Sequence, residues 1–95
     1  MKNLKDLNKQ QCVKIASIAE PQIEWELVFE ESKWEGFDLI DKGSKPRYAK
    51  YIFQIDYRSE KELMSKPRFR FYEDLHEFDI PKEKIAMIER YISKL

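Results

Sequence analysis

The sequence predicts an α+β fold of two layers. An N-terminal helix and a C-terminal helix pack on the same face of an antiparallel sheet of about four strands. Segment 22–31 alternates apolar and charged residues with a period of two, which is typical of a half-buried strand. Segment 45–73 has two basic and aromatic runs around a polar connector, which indicates a hairpin. Both chain ends instead space their apolar residues as helices do.

One domain spanning 1–95 is expected. A chain of this length is near the lower limit for a self-sufficient core, but 42% of the residues are apolar and 14% are aromatic. Aromatic side chains bury a large area each, so a small core is feasible. The periodic placement of the apolar residues argues against disorder.

The first helix is predicted to begin after Asn8 and to stop before Pro21. Asn8 and Gln11 have the spacing of a capping box, and Leu7 and Cys12 have that of a hydrophobic staple. The few residues before Asn8 are predicted to form a short arm or an extra helical turn. Cys12 falls on the apolar face of the helix, so we expect a buried thiol.

Four strands follow in the prediction. The half-buried strand 22–31 is followed by an irregular strand over 36–41, and a turn follows in which Gly43 supplies a positive φ. The strand over 47–58 is the longest, and 68–73 pairs with it. Keeping the aromatic side chains on one face sets the register of the last two strands. Three opposed pairs are predicted: Ile55 with Phe69, Asp56 with Arg68, and Gln54 with Arg70.

The remaining elements are shorter. Ser59 and Glu62 have the spacing of a second capping box, so one helical turn is predicted in the connector. Residues 74–80 are predicted to be an acidic loop. Asp79 is the expected cap of the last helix, which is predicted over 81–94.

Charge is segregated along a chain whose formal net charge is zero. Segment 22–41 has seven acids and one base, 45–72 has eight bases and three acids, and 73–79 has four acids. One interpretation is that neighbouring strands neutralise each other through cross-strand ion pairs. The other is a surface with a basic face for a polyanion or an acidic face for a basic protein. We favour the first, and both stay open at this point.

The residue content argues against most catalytic chemistry. One histidine and one cysteine cannot hold zinc without carboxylates from elsewhere, and the acids around His76 lack the glycine of a calcium-binding loop. No serine sits in a glycine elbow. We therefore expect no catalytic residue, no metal and no cofactor. An enzyme built on Asp41, Asp56 and Lys61 is the least favoured hypothesis.

Two binding surfaces and one anchor are candidates. Basic and aromatic side chains on the outward face of the hairpin can track phosphates and stack nucleobases, although we slightly favour an ordinary solvated sheet face as their explanation. This set is Arg47, Tyr48, Lys50, Arg58, Arg68, Arg70 and Tyr72. The second surface is the acidic segment, with Glu24, Glu26, Glu30 and Glu31. Trp34 is the candidate interface anchor, because tryptophan is enriched at binding hot spots.

The expected setting is a reducing cytoplasm. There is no secretory h-region at the N-terminus, and the single cysteine excludes an intrachain disulfide. No run of about 18 apolar residues is present, so no membrane span is expected. The expected partner is another protein, with nucleic acid as the alternative and a homodimer also open.

The opening LKDLNKQQCVKIASIAEPQIEW resembles the start of small proteins of unknown function encoded by phages and mobile elements. The resemblance covers the first quarter of the chain and implies no catalytic residue. Small, charge-segregated phage proteins are often inhibitors that bind host machinery, including CRISPR effectors. The leading hypothesis is therefore a non-enzymatic protein-binding domain that inhibits host machinery by occlusion, in the manner of an anti-CRISPR. Single-stranded nucleic-acid binding through 45–73 is the alternative.

Overall fold

The fold is α+β, as predicted. A computed structural model describes residues 3–28 and 34–95. In these ranges the helices are α1 (Lys9–Ala19), α2 (Glu60–Leu63) and α3 (Lys82–Ser93). The strands are β1 (Trp25–Leu27), β2 (Gly36–Asp41), β3 (Tyr51–Asp56), β4 (Phe69–Glu73) and β5 (His76–Phe78). Two short 3₁₀ turns, Leu4–Asp6 and Pro46–Tyr48, precede α1 and β3.

Both predicted capping boxes are confirmed. The Asn8 side chain accepts a hydrogen bond from the backbone N–H of Gln11 at 2.9 Å, and Gln11 Oε1 accepts from the Asn8 N–H at 2.9 Å. Ser59 and Glu62 form the same reciprocal pair at the start of α2. Each box satisfies N–H groups that the helix itself leaves without partners, which fixes where α1 and α2 begin.

The predicted cap of α3 is wrong. Pro81, not Asp79, occupies the cap position, and no side chain caps this end. The Pro81 carbonyl accepts hydrogen bonds from the N–H groups of Lys84 and Ile85 at 3.0 and 3.1 Å. Proline has φ fixed near the value needed at a helix start, so the ring replaces the expected carboxylate as the starting signal.

All five strands form one antiparallel sheet in the order β1-β2-β3-β4-β5. The predicted register of β3 and β4 is confirmed, with Ile55 opposite Phe69 and Gln54 opposite Arg70. The strand order in space equals the order in sequence. The acidic, basic and acidic segments of the chain therefore become an acidic edge, a basic centre and a second acidic edge.

The predicted acidic loop contains the fifth strand. β5 is joined to β4 by a two-residue turn in which Asp74 and Leu75 have φ of +49° and +66°. Two positive φ values are typical of the type I′ turn, which matches the twist of a hairpin. The usual sequence signal of that turn is Asn-Gly or Asp-Gly, so Asp-Leu gave no indication of it.

Two predicted strands are shorter in the structure. Of segment 22–31, Trp25–Leu27 form β1, and residues 29–31 lie outside the described residues. β3 begins at Tyr51 rather than at 47, because Pro46–Tyr48 form a 3₁₀ turn with the proline in its first turn. This places three of the predicted hairpin-face residues before the strand rather than on it.

The core lies between the sheet and the two longer helices. Its buried members are Leu7, Cys12, Ile15, Ala16, Ala19, Trp25, Leu27, Leu39, Phe53, Ile55, Phe69, Phe71, Ile88 and Ile92. The Trp25 ring meets Phe53 and Phe71 edge-on, with ring centroids 6.0 and 6.2 Å apart. Burial raises the pKa of the Cys12 thiol to about 12, so this cysteine is an inert core residue.

Candidate binding surfaces

We call the sheet face opposite α1 and α3 the outer face. Since side chains alternate along a strand, the residues between the core positions project onto it. The register aligns them in rows across β2, β3 and β4. One row is apolar, with Ile40, Ile52 and Tyr72, and the next is polar, with Asp38, Gln54 and Arg70. The centre of the sheet thus presents a mixed surface rather than a purely basic one.

One buried carboxylate lies on the outer face at the end of the central strand, β3. Asp56 is 0% exposed, and its two oxygens accept from the Arg58 guanidinium at 2.6 and 3.0 Å. Arg70 Nη2 donates to the same carboxylate at 3.1 Å, and the Arg58 backbone N–H donates at 3.1 Å. We call these three residues the Asp56 cluster. Two guanidinium groups share one carboxylate, so the cluster carries a net positive charge.

Two opposing influences act on the Asp56 carboxyl. Burial raises its pKa, because it penalises the charged form. Hydrogen bonds from the Arg58 side chain and backbone, the Arg58 charge and the bond from Arg70 together outweigh burial and hold the pKa below its usual range. Asp56 is therefore ionised at neutral pH and enclosed by donors. A carboxylate in this state is poorly suited to accept a proton from a substrate.

The polar row extends the network toward β2. Gln54 Oε1 accepts from Arg70 Nε at 3.2 Å, and Gln54 Nε2 donates to Asp38 Oδ1 at 3.2 Å. The indole N–H of Trp34 donates to Asp38 Oδ2 at 3.3 Å. Among the described residues, no buried side-chain nitrogen or oxygen lacks a hydrogen-bond partner. A ligand at this row would have to break bonds that the protein already makes.

Trp34 lies flat on the sheet instead of projecting from it. Its ring centroid is 5.6 Å from the Arg70 guanidinium carbon and 6.0 Å from that of Arg58. A Cβ built on Gly36 would lie 2.1 Å from the ring, so only glycine allows this approach. The Trp34 side chain is half-buried in this position. Its use as an interface anchor stays a prediction.

Arg68 is bound to backbone carbonyl groups rather than to the Asp56 carboxylate. Its Nη1 donates to the carbonyl oxygens of Asp56 and Arg58 at 3.3 and 3.1 Å. Arg68 thereby joins the start of β4 to the end of β3. The Asp56 carboxylate instead accepts hydrogen bonds from Arg58, which lies two residues later in the chain, and from Arg70, its diagonal neighbour on β4. Three of the seven predicted hairpin-face residues, Arg58, Arg68 and Arg70, therefore have hydrogen-bond partners within the molecule.

The other four predicted residues are spread over the surface. Arg47 and Tyr48 lie on the 3₁₀ turn before β3, where Tyr48 is 81% exposed. Lys50 is exposed, with its Nζ 5.4 Å from the centre of the Tyr51 ring. Tyr72 is half-buried, and burial followed by the nearby charge of Glu77 raises its pKa. The structure does not bring the seven residues together as one surface.

Among the described residues, the acids at the sheet edges form no ion pair. Glu24 and Glu26 are exposed at the β1 edge, and Glu77 is exposed at the β5 edge. Glu30 and Glu31 lie outside the described residues. Within 3–28 and 34–95 the two salt bridges both belong to the Asp56 cluster. Cross-strand neutralisation of the acidic flanks is therefore not observed in this part of the chain.

A second surface lies where a loop was predicted. We call residues 74–79 the β5 edge. All three residues of β5 are exposed, and the strand pairs with β4 on one side. Phe78 is 50% exposed, although its ring is 6.4 Å from that of Phe71. Leu75 is 81% exposed and holds a positive φ, which costs a branched side chain about 1–2 kcal/mol.

The sequence contains a short signal for this strand. The run His76-Glu77-Phe78 alternates and ends shortly before Pro81, where a strand has to stop. The density of acids around this run favours a solvated loop instead, which is why the strand is not predicted. Strained backbone next to an exposed strand marks sites of function more often than ordinary surface.

The described residues give no indication of metal binding or of a membrane span. No group of three or more His, Cys, Asp or Glu side chains in them is placed to hold a metal ion. None of the helices in the same residues is long and apolar enough to cross a bilayer. Comparison of the chain with protein-family models, with curated proteins and with solved structures found no match.

Proposed function

We propose that this chain is a non-enzymatic protein-binding domain that docks through the β5 edge. The observation that carries the proposal is an exposed edge strand flanked by two exposed apolar side chains, Leu75 and Phe78. An open edge offers backbone donors and acceptors to an added strand, and its apolar side chains supply specificity.

The hairpin geometry identifies the residue that would meet the added strand. In a two-residue hairpin, the residues that flank the turn bond to each other, and here these are Glu73 and His76. Bonding alternates along an antiparallel pair, so the next residue, Glu77, directs its N–H and C=O away from β4. Glu77 is therefore the backbone contact of the proposed interface.

The charge of the β5 edge favours a basic partner. Asp74, Glu77 and Asp79 lie in this edge with no lysine or arginine between them, and none forms an ion pair with a described residue. Complementary charge speeds association and disfavours acidic competitors. The proposed partner segment is extended and alternates lysine or arginine with apolar residues.

The resemblance of the opening residues extends this proposal to a biological role. The domain would be a cytoplasmic inhibitor of host machinery, of phage or mobile-element origin, that acts by occlusion. An acidic edge suits that role because nucleic-acid-processing proteins expose basic surfaces to the phosphate backbone. An edge that pairs with such a surface would block access of its nucleic acid.

The test combines affinity capture with edge variants. Tagged protein should retain one dominant host protein, and the purified pair should be measured by calorimetry. Glu77→Pro removes the outward N–H while leaving the β4 hydrogen bonds intact. It should weaken binding at least tenfold, and Leu75→Asp should do the same. Met87→Ser, at an exposed apolar residue of α3, is the control and should bind like the wild type. Equal binding by Glu77→Pro would refute the β5 interface.

Single-stranded nucleic-acid binding is kept as a second candidate because of the turn before β3. Tyr48 is 81% exposed and lies between two cationic residues, Arg47 and Lys50. Neither cation forms an ion pair with a described residue. This arrangement offers a ring for base stacking beside two phosphate contacts.

Oligonucleotide binding should be followed by fluorescence anisotropy at several salt concentrations. Affinity that falls steeply with salt and drops with Tyr48→Ala, but not with Arg90→Ala on α3, would support this candidate. Arg68 and Arg70 are unsuitable targets, because they hold β3 and β4 together. Absence of binding at low salt would eliminate the candidate.

A further inference from the structure

An open groove of about 830 Å³ lies away from the β5 edge. It is bordered by the 3₁₀ turn near the N-terminus, the C-terminal half of α3 and the adjoining ends of β3 and β4. Leu4, Tyr57, Phe69 and Ile92 line its apolar part, and Lys5 and Arg68 line its basic part. The volume is within the range of about 300–1,000 Å³ that is typical of small-molecule sites.

The apolar part of the groove is continuous with the core. Phe69 and Ile92 are buried core residues, and Leu4 packs against that core while staying half-buried. Tyr57 adds a half-buried ring, held by its contact with Phe37 at 5.4 Å between centroids. These side chains are fixed by packing on their inner side, so the groove is formed before any ligand arrives.

Positive charge exceeds negative charge around the groove. Arg68 is anchored through Nη1 to two carbonyl oxygens, and no carboxylate of the described residues lies within 4 Å of its guanidinium group. Arg58 also lines the groove and shares the Asp56 carboxylate with Arg70. Glu89 is the one acid among the described lining residues.

We propose that this groove binds an amphipathic organic anion, namely a carboxylate with an aliphatic or aromatic body. The carboxylate would lie at Arg68, whose planar fork suits two parallel hydrogen bonds, with Lys5 nearby at the rim. The apolar body would cover Leu4, Phe69 and Ile92. This site is independent of the β5 edge.

The probe is decanoate below its micelle-forming concentration, and binding is measured by calorimetry and by amide NMR shifts. Decanoate should bind and shift the amides of Lys5, Ser59 and Ser93, which line the groove. Decanol should bind at least tenfold more weakly, since it cannot use the guanidinium charge. Decyl phosphate distinguishes a carboxylate site from a general anion site. Equal binding of decanol and decanoate, or shifts located elsewhere, would overturn the proposal.

Three variants make the test independent of folding defects. Ser93→Trp places a large ring at the groove and should abolish binding, while Lys5→Glu should weaken it about fivefold. Lys14→Glu, an exposed charge reversal on α1, is the matched control and should bind as the wild type does. Unchanged affinity in Ser93→Trp would exclude the groove as the site. The β5 variant Glu77→Pro should leave decanoate binding intact, which separates this proposal from the protein-binding one.

Discussion

The centre of the sheet and its β5 edge are both rich in charged and aromatic residues, yet their organisation is opposite. At the centre, the Asp56 carboxylate is fully buried and accepts hydrogen bonds from two arginines. At the edge, Glu77 and its neighbours are exposed and have no cationic partner among the described residues. At the centre the Asp56 carboxylate is neutralised within the molecule, whereas the edge leaves its carboxylates for an external partner.

This difference teaches that charge density is a weak guide to binding. The Asp56 carboxylate is neutralised by Arg58, two residues later in the chain, and by Arg70, which lies diagonally opposite on β4. The acids of the β5 edge lie beside the half-buried Tyr72 and an exposed turn, and none of them forms an ion pair with a described residue. The position of the opposite charge, more than its number in the sequence, decides which surface stays available.

The largest expected effect is at the centre. Asp56→Asn keeps the shape of the side chain but leaves two guanidinium groups facing a neutral amide. Removing one partner of a buried ion pair costs about 3–5 kcal/mol, and we expect about 3 kcal/mol here because Arg58 keeps some access to water. The free energy of unfolding in urea, at neutral pH, measures it.

Two variants serve as controls for the loss of stability in Asp56→Asn. Asp38→Asn changes a carboxylate on the same face that accepts hydrogen bonds but forms no ion pair, and it should cost about 1 kcal/mol. Glu77→Gln at the β5 edge should change stability by less than about 0.5 kcal/mol. A loss in Glu77→Gln as large as that in Asp56→Asn would contradict the contrast between centre and edge.

Acid should weaken the centre selectively. The pKa of Asp56 is lower in the folded protein than in the unfolded chain, so its stabilisation is fully present above the unfolded value of about 4. That stabilisation is lost as the pH falls through the folded pKa. Protonation of Asp56 should lower the free energy of unfolding by no more than Asp56→Asn does, because both remove the same charge.

Urea unfolding of the wild type and of Asp56→Asn across the acid range tests this expectation. The two stability curves should approach each other as the pH falls, because the variant has no carboxylate to protonate at this position. Parallel curves for the wild type and Asp56→Asn would show that the cluster is not the source of the pH dependence.

The packing of Trp34 on Gly36 gives the third test. Gly36→Ala puts a methyl group where the indole lies, and displacing the ring should cost about 1–3 kcal/mol, as overpacking usually does. In a Trp34→Ala background the same change should be neutral or slightly stabilising, because alanine lowers the entropy of the unfolded chain. A double-mutant cycle in urea measures the coupling, and additive effects would mean that the two residues do not interact.

The sequence was sufficient for the fold wherever local and periodic signals agreed. Two capping boxes, the alternation in β3 and β4 and their register were all predictable, because burial of the aromatic face permits one pairing. β5 was missed, since Asp74-Leu75 adopts a turn geometry that other residues usually signal. The pairing of β5 with β4 outweighs the preference of Asp74 and Leu75 for negative φ.

The candidate site was less predictable than the fold. The alternation placed Arg68 and Arg70 on the correct face, but it cannot say which bond each guanidinium forms. The contact of Trp34 with Gly36 is a close approach between a side chain and the backbone of a neighbouring strand residue. Whether such a contact forms depends on differences of a few tenths of an ångström between atoms, and the periodicity of a sequence does not encode them.

The smallest expected effect has the opposite sign and lies at the β5 edge. Leu75 holds a positive φ that glycine adopts freely, so Leu75→Gly should stabilise the protein by about 1 kcal/mol. Leu75→Ala keeps the strain and removes an exposed side chain, so it should leave the free energy of unfolding unchanged. Asp74→Gly should gain less than Leu75→Gly, because aspartate tolerates this region. If both Leu75 variants weaken partner binding while Leu75→Gly raises stability, the leucine is retained for contact rather than for folding. A fall in stability in Leu75→Gly would instead mean that the side chain supports the turn, and the contrast between a satisfied centre and a strained edge would fail.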